Sequence, residues 1–493
     1  MTADSIIAIA GILLLIGAFS NKLSYRFNLP TLLLFLAAGV AAEAFLPVNG
    51  AELAGNINFL GIVAMAFILY SGGGETPLSS VRKVALRGII LAIPGVILTA
   101  VFLGGGAYFI LGGQYPFSWC LLLAALISST DAAAVFAILR GKGVGLKGKL
   151  KPLLELESGS NDPTAAFLTM FMIGVALQPE SAAEKLNIGS LLMIILQLGG
   201  GIIAGWLLGW LGRKIFTVKL EYEGLYFVVS VAWVLISYGV SQLVGANGFM
   251  ACYVCGMILN SGRYNYQKAL SKFHNGVAWL MQVGLFTLLG FLANPQELIK
   301  AAVWVPGVTL GLFLILVARP LAVFICLLWS EYSLKERVLI SWVGIRGAAP
   351  IVLATFPLAA GVADAEYMFR LIFFMVLISI TIQGWLMMPL ARWLKLDKPV
   401  TQHEPAPLEL EVTHSSANQE MREYKILPHS PLAGAKISDM ELPEGVLVTM
   451  LRRNGAIIPP RGNTTLCSGD HVLIMAETEL LREVEQVYFP EQS

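Results

Sequence analysis

What most constrains this chain is a succession of long apolar runs, at 5–20, 29–46, 57–72, 84–111, 117–139, 150–177, 189–212, 222–244, 247–261, 277–293, 299–328, 337–361 and 367–393. A helix that crosses a bilayer needs roughly 20 apolar residues, so these runs predict an all-α polytopic membrane domain of about 13 transmembrane helices. The composition agrees: 56% hydrophobic against 13% charged residues in 493 exceeds what a water-facing surface normally allows.

Basic residues are retained on the cytoplasmic side of a membrane, and here they alternate between connections. Lys22 and Arg26 fall in the first, Arg82, Lys83 and Arg87 in the third, and Arg140, Lys142, Lys147, Lys149 and Lys151 in the fifth. The seventh, ninth and eleventh continue the pattern, whereas the even connections, such as PVNGAELAGN and GVADAE, have almost none. This predicts a multi-pass protein of the cell membrane with its N-terminus outside and its C-terminus in the cytoplasm. Met1 to Ser5 has no basic residue, which fits an uncleaved first helix better than a signal peptide. The net charge of +1 gives no sign of a nucleic-acid partner.

After Leu396 the composition changes. Residues 397–421 are polar and proline-containing, a linker by their chemistry. Residues 422–493 then read as a small α/β domain: strands at REYKIL, GVLVTML and DHVLIMA, a hairpin turn at Asn454–Gly455 and a closing amphipathic helix in TELLREVEQVYF. Residues 1–396 form the membrane domain in this reading.

Several ionisable groups nevertheless sit at membrane depth, where insertion scales put the cost of each at about 2.5–3.5 kcal/mol. ELESGSNDP in the run 150–177 carries Glu155, Glu157 and Asp162. At 100° per residue Ser158 and Asp162 share one helical face, and Glu157 and Asn161 share the next. Pro163 cannot donate to the carbonyl of Gly159, which leaves an acceptor beside the acids. The preceding run has SSTD, Ser128 to Asp131, about halfway along. A short basic loop makes the two helices antiparallel neighbours, so Asp131 and Asp162 are expected at similar depth. Such oxygen groups suit a hard cation.

Arg319 and Arg346 are also within apolar runs. Glu157, pointing away from the Ser158–Asp162 face, is the candidate partner of Arg319. Arg346 stands in GIRGAAP, a stretch expected to interrupt its helix as SSTD interrupts the fifth. Broken helices at corresponding positions of two inverted halves are a transporter signature.

These motifs give the chain a family likeness. SSTDAAAVFAIL, ELESGSNDP, ARP and WVGIRGAAPIVLA, in this order, resemble the NhaP-type antiporters of the monovalent cation:proton antiporter superfamily, and the likeness covers nearly the whole membrane domain. LPEGVLVTMLRRNG and SGDHVLIMA resemble a TrkA C-terminal (RCK-C) regulatory domain, and a chain with this tail is most similar to the potassium/proton branch. The resemblance implies that Asp162 binds either the proton or the cation. It also implies that Asp131, Thr130 and Ser158 line the site, that Asn161 orients it, that Glu157 and Arg319 form a structural ion pair, and that Arg346 supports the crossing of the broken helices. The family often has Asp-Pro after the threonine, whereas this chain has Asp131–Ala132. The resemblance further implies a homodimer in lipid and an unknown small ligand on the cytoplasmic domain.

A carboxylate that must be neutralised in a medium of low dielectric can take a proton or a cation but gains little from both. Moving that site between the two faces exchanges one for the other. Asn161, where a second acid would allow two protons, points to one-for-one, electroneutral exchange. The gradients supply the energy, so no cofactor is expected, and no metal beyond the transported K+ or Na+. The same acids would serve a cation channel, but no repeated pore-loop filter is present. An intramembrane enzyme would give the buried arginines no role.

Other features have plainer readings. Glu155 is either an entrance carboxylate or the partner of Lys149 or Lys151. SGGGETP after Tyr70 lacks the Lys-Ser/Thr of a phosphate loop and reads as a helix end or close packing. Cys252 and Cys255 read as small packing residues, since no second pair or histidine completes a metal site. His274, His403, His414, His429 and His471 all fall in predicted cytoplasmic segments, where they read either as a pH sensor or, the plainer reading, as ordinary surface residues.

Overall fold

A computed structural model of the chain gives the placement of residues 11–12, 14–15, 19, 31–45, 50–131, 135–136, 139, 144–178, 188–292, 295–399, 419–427, 430, 432–440, 442–453 and 456–489. The chain divides into two compact units, Met1–Gln402 and His403–Ser493.

The first unit is helical. Its described elements are α1 (Thr31–Phe45), α2 (Gly50–Glu75), α3 (Leu78–Arg82), α4 (Ala85–Ala92), α5 (Pro94–Ile110), α6 (Phe117–Leu126), β1 (Val144–Leu146) and α7 (Leu150–Ala176). Next come α8 (Ile188–Phe216), α9 (Glu223–Leu243), α10 (Gly248–Asn260), α11 (Gln267–Leu292), α12 (Pro295–Leu298), α13 (Ala301–Phe313), α14 (Arg319–Cys326) and α15 (Leu334–Trp342). The unit closes with α16 (Ala348–Ala359), α17 (Ala365–Ile378), α18 (Gly384–Trp393) and β2 (Asp397–Pro399). Ala85–Ile110, Glu223–Leu243, Ala301–Cys326 and Ala365–Trp393 are each long and apolar enough to cross a membrane unaided. Large apolar side chains on these stretches stay exposed, among them Phe109 at 81% and Val228 at 63%. That is the surface expected to face lipid and not water.

Two of the predicted runs are interrupted. In the run 117–139, α6 stops at Leu126 and Ser128 Oγ donates back to Ala125 O at 2.8 Å. Local side-chain bonds of this kind compete with the helix ladder. In the run 337–361, α15 starts on a Ser333/Glu336 capping box and stops at Trp342, and α16 resumes after Gly347. A π-helical turn at Ser379–Gln383 holds the second break: Gln383 Nε2 donates to Trp342 O at 2.7 Å, and Ser379 Oγ accepts from Arg346 N at 3.0 Å. Another π turn, Leu314–Ala318, immediately precedes Arg319. Turns of this type collect at functional sites.

Close approach of backbones explains SGGGE. These residues continue α2, and a Cβ on Gly73 would strike Tyr253 O, while one on Gly256 would strike Tyr70 O. Only glycine permits α2 and α10 to meet there.

The second unit is an antiparallel sheet of order β3–β6–β4–β5, made by β3 (Gln419–Lys425), β4 (Leu447–Arg453), β5 (Ala456–Ile458) and β6 (His471–Glu477). Helix α19 (Thr478–Tyr488) buries Leu481 and Val484 in one core with Leu451, Val472 and Ile474. Arg453 lies opposite Ala456, as a two-residue hairpin connection requires; Asn454 and Gly455 themselves lie outside the described residues.

Two expectations are corrected. Asp397–Pro399, read as the start of the linker, pairs antiparallel with Val144–Leu146 of the membrane unit, because the chain turns back after α18. His274, read as a surface residue, is 4% exposed, because α11 begins at Gln267, ten residues before the apolar run, and carries it under the rings of Phe67, Tyr70 and Phe273. Neither of its ring nitrogens has a hydrogen-bond partner among the described residues. His471 is half-buried on β6, with Nδ1 3.0 Å from Glu423 Oε1. His403, His414 and His429 lie outside the described residues, as do Arg140, Lys142 and the first predicted helix apart from a few positions.

Candidate functional site

The two broken segments cross. Asp131 N donates to Ile345 O at 2.7 Å, which joins the breaks backbone to backbone. Arg346 reaches the other way, its Nη1 donating to Ser128 O at 2.8 Å and Ser129 O at 2.5 Å. These are the carbonyls a broken helix leaves without partners. A guanidinium 1% exposed thus replaces the missing turn and puts a positive charge at the crossing. Packing there is tight: a Cβ on Gly347 would strike the carboxylate of Asp131.

Helix α7 brings its polar face to the same place. Asn161, fully buried, donates from Nδ2 to Thr130 Oγ1 at 2.6 Å, and its Oδ1 has no hydrogen-bond partner among the described residues. The carboxylates of Asp131 and Asp162, with Ser129, Thr130 and Ser158, line one cavity of about 120 Å³, room for several waters or a partly hydrated cation. Beyond Pro163 the helix is tied to α10, where Asn247 Nδ2 donates to Pro163 O at 3.2 Å and Asn247 Oδ1 caps Met250 N at 2.9 Å.

On the adjacent face, Glu157 and Arg319 form an ion pair. Arg319 Nη2 donates to Glu157 Oε1, both side chains 2% exposed. Glu155 lies 3.6 Å from Lys151 Nζ and also lines the cavity. Lys149 pairs with Glu331 at 2.9 Å instead.

Among the lining residues not singled out from the sequence are Glu75, Gln282 and Tyr253. Glu75 ends α2 and accepts from Asn275 Nδ2 at 2.8 Å, and Asn275 Oδ1 accepts from Ser71 at 2.5 Å. Glu75 and Glu155 thus share one cavity with the residues of the crossing. Its oxygen-rich, anionic wall is chemistry for a small cation or a proton. Among the described residues no cluster of three or more His, Cys, Asp or Glu has metal-holding geometry, and Cys252 and Cys255 are buried as free thiols.

Comparison with known proteins agrees with this geometry. The family described as "Sodium/hydrogen exchanger, transmembrane" matches residues 10–393, and the TrkA-C domain matches residues 421–487. A protein named K(+)/H(+) antiporter NhaP2 from Shewanella sp. (strain MR-4) is 32% identical over 99% of this chain and 84% of its own length. The Na(+)/H(+) antiporter NhaH of Halobacillus dabanensis is 30% identical over 61% of this chain and 74% of its own. The solved structure of the sodium proton antiporter MjNhaP1 from Methanocaldococcus jannaschii, 23% identical, superposes with a TM-score of 0.68 over 80% of this chain and all of that one. The chain therefore belongs to the sodium/hydrogen exchanger family of membrane antiporters and carries a TrkA-C domain C-terminal to the membrane unit.

Proposed function

We propose that this protein exchanges K+ for H+ across the cell membrane, one for one, by alternating access of the Asp162 carboxylate. The chain is a cation/proton antiporter and not an enzyme. The observation that carries the finer reading is the pairing of Asp131 and Asp162 in one cavity at the crossing of the two breaks. One fixed guanidinium, Arg346, stands at that crossing, and an amide, Asn161, stands where a second acid would sit. The cation and the proton compete for Asp162; Asp131, Thr130 and Ser158 supply further oxygens; Asn161 holds Thr130; Glu157 and Arg319 brace α7 against α14. Glu155 and Glu75 form the cytoplasmic entrance. No cofactor takes part.

The choice of K+ rests on the relative that matches nearly the full length, tail included; Na+ is the second reading, favoured by the named activity of the shorter match. About thirteen helices span the membrane in this proposal, with the N-terminus outside and the TrkA-C domain cytoplasmic. Two copies form a homodimer whose cytoplasmic domains, on binding a small ligand, tune exchange. Cation-driven proton flux in everted vesicles, K+ against Na+, tests the reading. Flux with K+ at lower half-saturation supports it, a preference for Na+ moves the protein to sodium exchange, and unsaturable flux indicates a channel. Ending the chain after Gln402 tests the tail: unchanged flux and unchanged pH response count against regulation.

A further inference from the structure

The membrane unit does not end with its last helix. Helix α18 closes in a cap in which Leu396 N donates to Ala391 O at 3.0 Å and Lys395 N to Arg392 O at 2.9 Å, with Lys395 at φ 61°. This is the bond pattern that turns a chain sharply off a helix end. Glycine normally holds that left-handed position, and another residue is kept there where its surroundings over-determine it.

The strand beyond the turn accounts for the constraint. β2 lies antiparallel to β1, with Leu146 opposite Asp397, Gly145 opposite Lys398 and Val144 opposite Pro399. Lys147 extends the ribbon, its backbone N donating to Leu396 O at 3.0 Å and its Nζ to Lys395 O at 3.0 Å. A two-stranded ribbon is marginal by itself in water. This one is seated on the core: Leu146 and Leu394 are buried in it, and Val144 and Leu396 pack against it.

The position of β1 gives the ribbon its role. It lies between the break at 127–131 and α7, the two segments that supply Asp131 and Asp162. Gly148, at φ 63°, turns the chain from β1 into α7, and that helix carries Glu155, Ser158 and Asp162. The Lys149–Glu331 pair braces the same corner from the segment before α15.

We propose that Asp397–Pro399 is a positioning strap, a part of the transport machinery that fixes the cytoplasmic end of α7 and with it the height of the cation-binding side chains. It rests on the reading of Asp162 as the binding carboxylate but not on any role of the TrkA-C domain. A chain cut after Leu396, the boundary suggested by composition, loses the strap as well as the domain, so a change of flux in that chain is not a measure of regulation.

The test compares chains ending at Gln402, Pro399 and Leu396 in everted vesicles at matched membrane abundance. Half-saturating cation concentration is read with K+ and with Na+. The first two chains keep a common value, and the third rises about tenfold or more, the usual effect of removing a support from a ligand site. Three equal values overturn the strap while leaving antiport standing, whereas no cation-driven flux in any chain, full length included, overturns the underlying function. Should the Leu396 chain not reach the membrane, a Gly145→Cys/Lys398→Cys pair in a full chain with Cys467→Ser decides. The strap predicts that oxidation bridges the pair and leaves half-saturation unchanged. No bridge, or a bridge that stops exchange until reduced, contradicts it.

Discussion

Removing Glu157 should damage this protein far more than removing Glu157 and Arg319 together. Both side chains are 2% exposed, and Arg319 Nε has no hydrogen-bond partner among the described residues, so the carboxylate of Glu157 is what neutralises that guanidinium. Taking away one member of a buried pair leaves an uncompensated charge at a cost of about 3–5 kcal/mol, while replacing both by apolar residues is often neutral or stabilising by about 1–4 kcal/mol. Membrane insertion scales give about 2.5–3.5 kcal/mol for a single charge at the bilayer centre, in agreement. At about 1.4 kcal/mol per tenfold, Glu157→Leu or Arg319→Met alone should lower the ratio of folded to unfolded protein by roughly two to four powers of ten. The double variant should return close to the parent. Equilibrium unfolding in mixed micelles, run as a double-mutant cycle, reads the coupling directly. A coupling under about 0.5 kcal/mol, within the range of independent sites, would refute the structural role given to the pair.

The crossing, the stoichiometry and the tail can each be tested as well. Gly347→Ala, which drives a methyl group against Asp131, should lower exchange about a hundredfold, as misplacing a reacting group does, in protein that still reaches the membrane; proteoliposome flux at matched abundance checks this. Exchange should generate no membrane potential, so a potential-sensitive dye should stay silent during cation-driven proton flux. In the TrkA-C domain Asp470 is buried, which by itself raises its pKa. Bonds from Arg453 Nε and Nη2, each 2.8 Å, and from Cys467 N, 2.7 Å, bring it below the ordinary value. A depressed carboxylate adds stability that is present above its unfolded value, about 3.9, and is lost as pH falls through the lower folded value. Protection of β6 amides from hydrogen exchange should therefore be flat from neutral pH to about pH 5 with respect to this group and fall only below that. Asp470→Asn should cost about 1.5–3 kcal/mol at pH 7, the size of charged hydrogen bonds.

The site was legible in the sequence to the extent that its cost was. Asp131, Glu157, Asp162, Arg319 and Arg346 are expensive inside apolar runs, and expense marks them wherever they fall. Periodicity then separated Glu157 from the Ser158–Asp162 face, and the geometry keeps that separation. Glu75 carries no such mark, because it stands after three glycines at the end of α2, and its place on the cavity wall comes from how closely α2 approaches α10. Gln282 and Tyr253 are ordinary residues of apolar helices until the fold brings them to the cavity. The strap was missed for a related reason. Three residues pairing across a separation of some 250 positions leave no local periodicity, and Asp-Lys-Pro has the composition of a linker. His274 was misplaced because α11 runs well beyond its apolar segment into polar sequence.

Transport as proposed turns on one carboxylate that holds either a proton or a cation. Purified protein in weakly buffered detergent solution should release about one proton for each K+ or Na+ bound, and Asp162→Asn should abolish both binding and release. Cation binding without proton release, or release that persists in Asp162→Asn, would contradict that competition.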